Sequence, residues 1–309
     1  MVASLRALLT GIIDYAGLFP PARQSLDQAI RNYAAYRRHA DAWMLGRFIV
    51  PAARLDDLEP YHDELFAVDP PFSFSVLGRG GSNLGEFLAL LRDDLRDVAA
   101  FRKRHGVRVA VEVFETRLPP DLADPHLPNS ASNLIKTLSV FPFVELFPFC
   151  EAPGRPEELQ HQLAQMQGGQ FGFKLRCGGL EASAFPSGAE IADALRRCLD
   201  AGLHFKATAG LHHPLPRFDS SVAARMHGFI NVFLAGSLAH ARNLNVKHLQ
   251  ALLDEDRASH FSFTDRGAVW QNHRVTTAEI EAARREFVIS FGSCSFDEPR
   301  DDLRALGWL

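Results

Sequence analysis

The chain is predicted to fold as a single-domain (β/α)8 (TIM) barrel of the α/β class. Three observations predict it: eight short β-type runs, amphipathic helical runs between them, and a length of 309 residues, within the range that a closed barrel occupies as one domain. Regular alternation of this kind specifies a parallel sheet with helical crossovers.

In chain order, the expected strands are GIIDYAG from Gly11, WMLGRFIVP from Trp43, FSFSVLG from Phe72, VRVAVEVFE from Val107, FVELFPF from Phe143, FGFKLRCGG from Phe171, LHFKATAG from Leu203 and FSFTDRG from Phe261. Between them, apolar residues recur at spacings of three and four. Leu84, Phe87, Leu88, Leu91, Leu95 and Val98 form one such stripe, and Ile191, Leu195, Cys198 and Leu199 another. Ser187 and Gly188 read as a helix start, and Gly202 as a stop. The crossover from strand seven is the longest, running through MHGFINVFLAGSLAHARN and VKHLQALLDEDRASH. After the eighth strand, TTAEIEAARREF is expected to close the ring, with residues 290–309 as a C-terminal tail packed on the single domain 1–309. The Pro-rich stretch LPPDLADPHLPN is expected to be a surface loop placed to act as a lid.

Hydrophobic residues make up 47% and charged residues 23%, the balance of a chain that buries a large core. A net charge of -4 without a Lys/Arg-rich tract argues against a nucleic-acid or anionic-membrane partner and for a small-molecule substrate. Four cysteines without C-x-x-C spacing read as free thiols in a reducing, cytoplasmic setting. The N-terminal stretch, broken by Gly11 and Asp14, offers neither a signal h-region nor a membrane span. The tail is a candidate contact in a homo-oligomer. Without a strand-linked G-x-G-x-x-G or a P-loop, no nucleotide cofactor is indicated.

In a barrel, polar residues at the C-terminal strand ends converge on one pocket. Here they are Asp14, Arg47, Glu112, Glu145, Lys174, Arg176, Lys206, His212 and His213. Lys174 and Lys206 occupy corresponding places in strands six and seven, each after a Phe, and are expected to be neighbours. Mutual repulsion and desolvation should then lower the pKa of at least one, and a neutral lysine is a nucleophile for carbonyls. Glu112 and Glu145 alternate with aliphatic neighbours, so period-two geometry points them into the barrel as proton carriers. Arg176 supplies a fork for an anion, aided by the backbone of Gly178 and Gly179. Arg47 and His212 are further candidates for substrate binding, and Tyr15 with Phe19 for an aromatic rim. Cys177 reads as a packing residue, and His227 as a core or solvent histidine.

These strand-end lysines resemble those of class I aldolases of the deoxyribose-phosphate aldolase type. The resemblance implies a Schiff base on Lys174 in KLRCGG, a pKa-perturbing Lys206 in KATAG, and a proton relay on Glu112 in VEVFE, where the family has Asp. The family's phosphate-binding loop after strand eight is replaced by TDRG. The expected activity is that of a carbon–carbon lyase or isomerase on a small, anionic carbonyl metabolite. The alternative is a lyase, isomerase or hydrolase dependent on a divalent metal (Zn, Mn or Mg) held by Asp14, His212 and His213, because GLHHP faces strand one across the ring closure.

Overall fold

The computed structural model describes residues 1–66, 69–123, 136–137, 139, 141–152 and 171–309. Its centre is a closed, all-parallel barrel of eight strands: β1 (Ile13–Tyr15), β2 (Leu45–Pro51), β3 (Phe72–Leu77), β4 (Val109–Arg117), β5 (Phe147–Glu151), β6 (Gly172–Arg176), β7 (His204–Thr208) and a last strand, Val288–Ser293, which pairs with both β7 and β1. The barrel fold and α/β class agree with the sequence expectation. Seven of its strands lie where alternation placed them, although β5 begins four residues later than expected.

The eighth does not. Phe261–Phe263 is β10, one edge of a separate antiparallel sheet with β11 (Gly267–Trp270) and β12 (His273–Thr276). This sheet meets the chain start, where Ser4 N–H donates to the Thr264 carbonyl at 3.2 Å. The run at Phe261 is therefore a strand, but the ring is closed by β13, Val288–Ser293, which overlaps the expected tail. A small hairpin of β8 (Arg217–Asp219) and β9 (Ala224–Met226) follows β7.

Helix boundaries follow local chemistry. A capping box of Ser187 and Glu190 starts the helix Gly188–Asp200, and Thr276 with Glu279 does the same for Thr277–Glu286. Asn83 caps the helix Leu84–His105, which buries Phe87, Leu91 and Val98 against the sheet. The helix Phe229–Arg242 is buried from Phe229 to Ala239, as suits its nearly continuous apolar sequence. A final helix, Asp297–Ala305, follows β13 directly.

Two arginines hold strand starts in place. Arg284 donates to the carbonyls of Val288, Ile289 and Thr10, and Arg102 to those of Val111, Val144 and Glu145. Of the lid candidate, residues 124–129 lie outside the described residues. Among the described residues, no helix is long and apolar enough to cross a membrane.

Candidate active site

Period-two geometry in β6 sends Phe173 and Leu175 into the apolar core behind the sheet and Lys174 into the barrel. In β7, Phe205 and Ala207 likewise flank Lys206. The two lysines are register partners, as the sequence predicts.

What surrounds them differs from expectation. Lys206 Nζ, with its side chain fully buried, lies 2.5 Å from Asp14 Oδ2 and 2.6 Å from Glu115 Oε1. Lys174 Nζ lies 2.9 Å from Glu115 Oε2 and 3.2 Å from Glu151 Oε2. Arg176 then places Nε and Nη2 each 2.9 Å from Glu151 Oε1. The result is an alternating chain of charge, Asp14, Lys206, Glu115, Lys174, Glu151, Arg176, running from the barrel interior to its mouth.

Neutral donors complete it. Ser75 Oγ donates to Glu115 at 2.6 Å, Ser290 Oγ to Asp14 at 2.7 Å, and the Arg47 N–H to Asp14 Oδ1 at 2.7 Å. Gly46 leaves room for that last carboxylate, since a Cβ there would stand 2.3 Å from Asp14 Oδ1. The Phe149 ring lies 5.8 Å from Lys206 Nζ.

The electrostatics follow from this interleaving. Burial alone would lower the Lys174 pKa, but Glu115 and Glu151 outweigh it and hold the ammonium above the ordinary lysine value. Burial would raise the Glu115 carboxyl, and Lys206 and Lys174 reverse that, holding it well below the usual carboxylate range. Glu151 is lowered in the same way by Lys174 and Arg176 against its own desolvation. The expected lowering of Lys174 therefore does not occur, because a carboxylate stands between the ammoniums instead of leaving them face to face.

Glu112 and Glu145 do not take the inward positions assigned to them. The register between β3 and β4 passes from Phe74–Val111 to Ser75–Val113, so Glu112 sits at an irregularity that interrupts the alternation. Its side chain is 73% exposed, with the carboxylate 3.8 Å from Arg47 Nη2. Glu115, three residues or about 10 Å further along the strand, takes the interior place. Glu145 is exposed in a left-handed turn (φ 53°) ahead of β5, and Glu151 at the strand's end reaches Lys174. Both missed acids had a signal: each lies nearer the C-terminal end of its strand, where barrel sites form.

A cavity of about 360 Å3 opens above this chain of charge. Its lining includes Glu115, Lys174, Arg176, Gly179 and His212, together with Phe19 and Pro20 from the loop after β1. Lys206 and Asp14 lie beneath it. Gly178 and Gly210 bring the loops after β6 and β7 together: a Cβ on Gly178 would meet the Gly210 Cα at 2.7 Å. Tyr15 is not on the rim. It is fully buried and donates to Gln24 Oε1 at 2.7 Å, while Phe19 takes the rim position. Arg47 sits beside Asp14 and Glu112, outside the cavity lining. Cys177 is fully buried, its thiol pushed up to about 12 by desolvation, in keeping with a packing residue.

The expected metal ligands are not brought together. Asp14 is occupied by Lys206, Ser290 and the Arg47 amide, whereas His212 Nδ1 lies 3.0 Å from Glu298 and His213 Nδ1 2.5 Å from Asp302, both on the last helix. Among the described residues, no group of three or more His, Cys, Asp or Glu side chains is arranged to hold a metal ion. No protein-family model matches the chain, and no curated protein matches it in sequence. The likeness to deoxyribose-phosphate aldolases thus rests on the two strand-end lysines alone, since Glu112, matched to the family's acid, is exposed and contacts neither.

Proposed function

We propose that the protein is an enzyme, a carbon–carbon lyase or isomerase that handles a small anionic carbonyl compound through a Schiff base on Lys174. The observation that carries this reading is the position of Lys174: its ammonium borders the cavity and touches two carboxylates, Glu115, which stays ionised beneath it, and Glu151 towards the barrel mouth, placed to carry protons. The barrel fold is one that commonly hosts such chemistry.

In this reading, Lys174 first loses a proton to solvent through the cavity, with Glu115 remaining ionised beneath it. The neutral amine adds to the substrate carbonyl carbon, one proton passes from nitrogen to the new oxygen, and a second proton from solvent goes to the resulting hydroxyl as water leaves, giving an iminium. That cation draws electrons from the neighbouring carbon, so a C–H bond there breaks, or a C–C bond to a hydroxyl-bearing carbon that leaves as a carbonyl compound. The Glu151 carboxylate receives the C–H or O–H proton and returns it to the enamine carbon. Water then releases the product and restores Lys174. Lys206 acts from beneath as a positioning residue, fixing Glu115 and keeping it ionised.

Deuterium exchange tests this. In D2O, the protein should exchange hydrogens next to the carbonyl of a bound ketone or keto acid, followed by NMR, and Lys174→Met should reduce the exchange to the uncatalysed rate. Exchange that survives the substitution would exclude Lys174 as the reacting amine.

A further inference from the structure

The cavity that holds Lys174 carries a specific pattern of charge and apolar surface. Among the described lining residues, Arg176 is the one permanently charged cation besides Lys174, and its side chain is 51% exposed. Glu151 bridges the two, with Oε2 on Lys174 and Oε1 on Arg176. One carboxylate group therefore spans the gap between the reacting amine and the guanidinium. Much of the remaining wall is apolar, with Ile49, Leu77, Leu180 and Leu211 joining Phe19 and Pro20, while Glu115, Thr208, His212 and Ser293 add polar groups.

We infer that the substrate is a 2-oxo acid with a short apolar chain: its carbonyl meets Lys174, its carboxylate meets Arg176, and its hydrocarbon end lies against Phe19, Ile49 and Leu77. This assignment rests on the Schiff-base reading of Lys174 and adds the substrate class.

The geometry selects the position of the charge. In a 2-oxo acid, the carboxylate is attached to the carbonyl carbon, so its oxygens lie beside the imine nitrogen, and a guanidinium N–H reaches them over a further 3 Å or so. A phosphate ester several bonds from its carbonyl would carry its charge towards the apolar wall instead, and a dianion is poorly matched by a single guanidinium already shared with Glu151. Burying a charged group against carbon without a partner is costly, so the wall discriminates against such substrates. A cavity of about 360 Å3 lies at the small end of ligand pockets, which suits a short chain.

The test uses the whole protein and three probes, 2-oxobutanoate, butanal and dihydroxyacetone phosphate, each trapped with borohydride at a series of concentrations and quantified by mass on the peptide holding Lys174. The half-saturating concentration for 2-oxobutanoate should be at least about tenfold below that for butanal, the size expected of one charge-assisted contact. Arg176→Met should collapse that ratio towards one, and Arg176→Lys should retain part of it. A ratio near one in the unaltered protein, a ratio that Arg176→Met leaves unchanged, or half-saturation by dihydroxyacetone phosphate below that of 2-oxobutanoate would overturn the 2-oxo acid assignment while leaving the Schiff base standing. No adduct at Lys174 with any probe would overturn the Schiff-base reading itself, and this assignment with it.

Discussion

Lys174 and Lys206 are register partners on adjacent parallel strands, yet each ammonium contacts a different oxygen of one buried carboxylate, that of Glu115. This arrangement turns what would be a repulsive pair into an alternating, mutually attractive cluster, and it makes Glu115 the residue on which both lysines depend.

Glu115→Gln should therefore change two things together. Removing a charge from a buried ionic network costs about 3 kcal/mol, visible as an earlier midpoint in denaturant unfolding. Because Glu115 is the leading influence that raises the Lys174 pKa, the variant should also shift the pH profile of borohydride trapping to lower pH, even as its maximal rate falls. An unmoved profile would mean that Glu115 does not govern Lys174.

The acid limb of stability supplies a second test. Glu115 and Glu151 have folded pKa values below their unfolded value of about 4.3, so their contribution to stability is complete above that pH and is lost as pH falls through the lower folded values. Lys174→Met removes a cation from both, lifting their folded pKa values. Acid unfolding followed by tryptophan fluorescence should begin at higher pH in this variant. A midpoint equal to or below that of the parent would argue against the coupling.

Lys174 shows the opposite sign. Its folded pKa is raised, so its stabilising contribution is complete below about 10.4 and is lost as pH climbs through the folded value. The same shift predicts that trapping accelerates with rising pH across the neutral and mildly alkaline range. A trapping rate that is flat from pH 7 to pH 9.5 would indicate an amine already neutral.

Gly210 and Gly202 offer an internal comparison. Both have positive φ (68° and 67°), but a Cβ on Gly210 would stand 2.5 Å from the Cys177 carbonyl oxygen, whereas one on Gly202 would meet nothing within 4 Å. Gly202→Ala should cost about 1 kcal/mol from backbone conformation alone. Gly210→Ala should cost about 2–3 kcal/mol and weaken probe binding, because its loop lines the cavity. Equal costs measured by denaturant unfolding would contradict the close approach of the two loops.

Much of the fold was legible because alternation and helical periodicity are local. The run at Phe261 shows the limit: it has a strand's composition and is a strand, but periodicity does not say which sheet a strand joins. Val288–Ser293 escaped notice because it follows a helix without a marked turn and merges into glycine and serine. At the site, Lys174, Lys206, Arg176 and His212 were legible from strand-end position. Glu115 was hidden behind the irregularity at Glu112, and Glu151 behind the left-handed turn at Glu145, since either feature breaks the parity on which the inward reading depended. The raised Lys174 pKa was not legible, because its cause is a carboxylate arriving from another strand.

The most direct test of the central claim is peptide mass spectrometry after borohydride reduction in the presence of a 2-oxo acid. The account predicts one stable adduct, with the mass of the probe less water plus two hydrogens, on the peptide holding Lys174, and its disappearance in Lys174→Met. An adduct on Lys206, or turnover of such a substrate with no trappable adduct on Lys174, would contradict it.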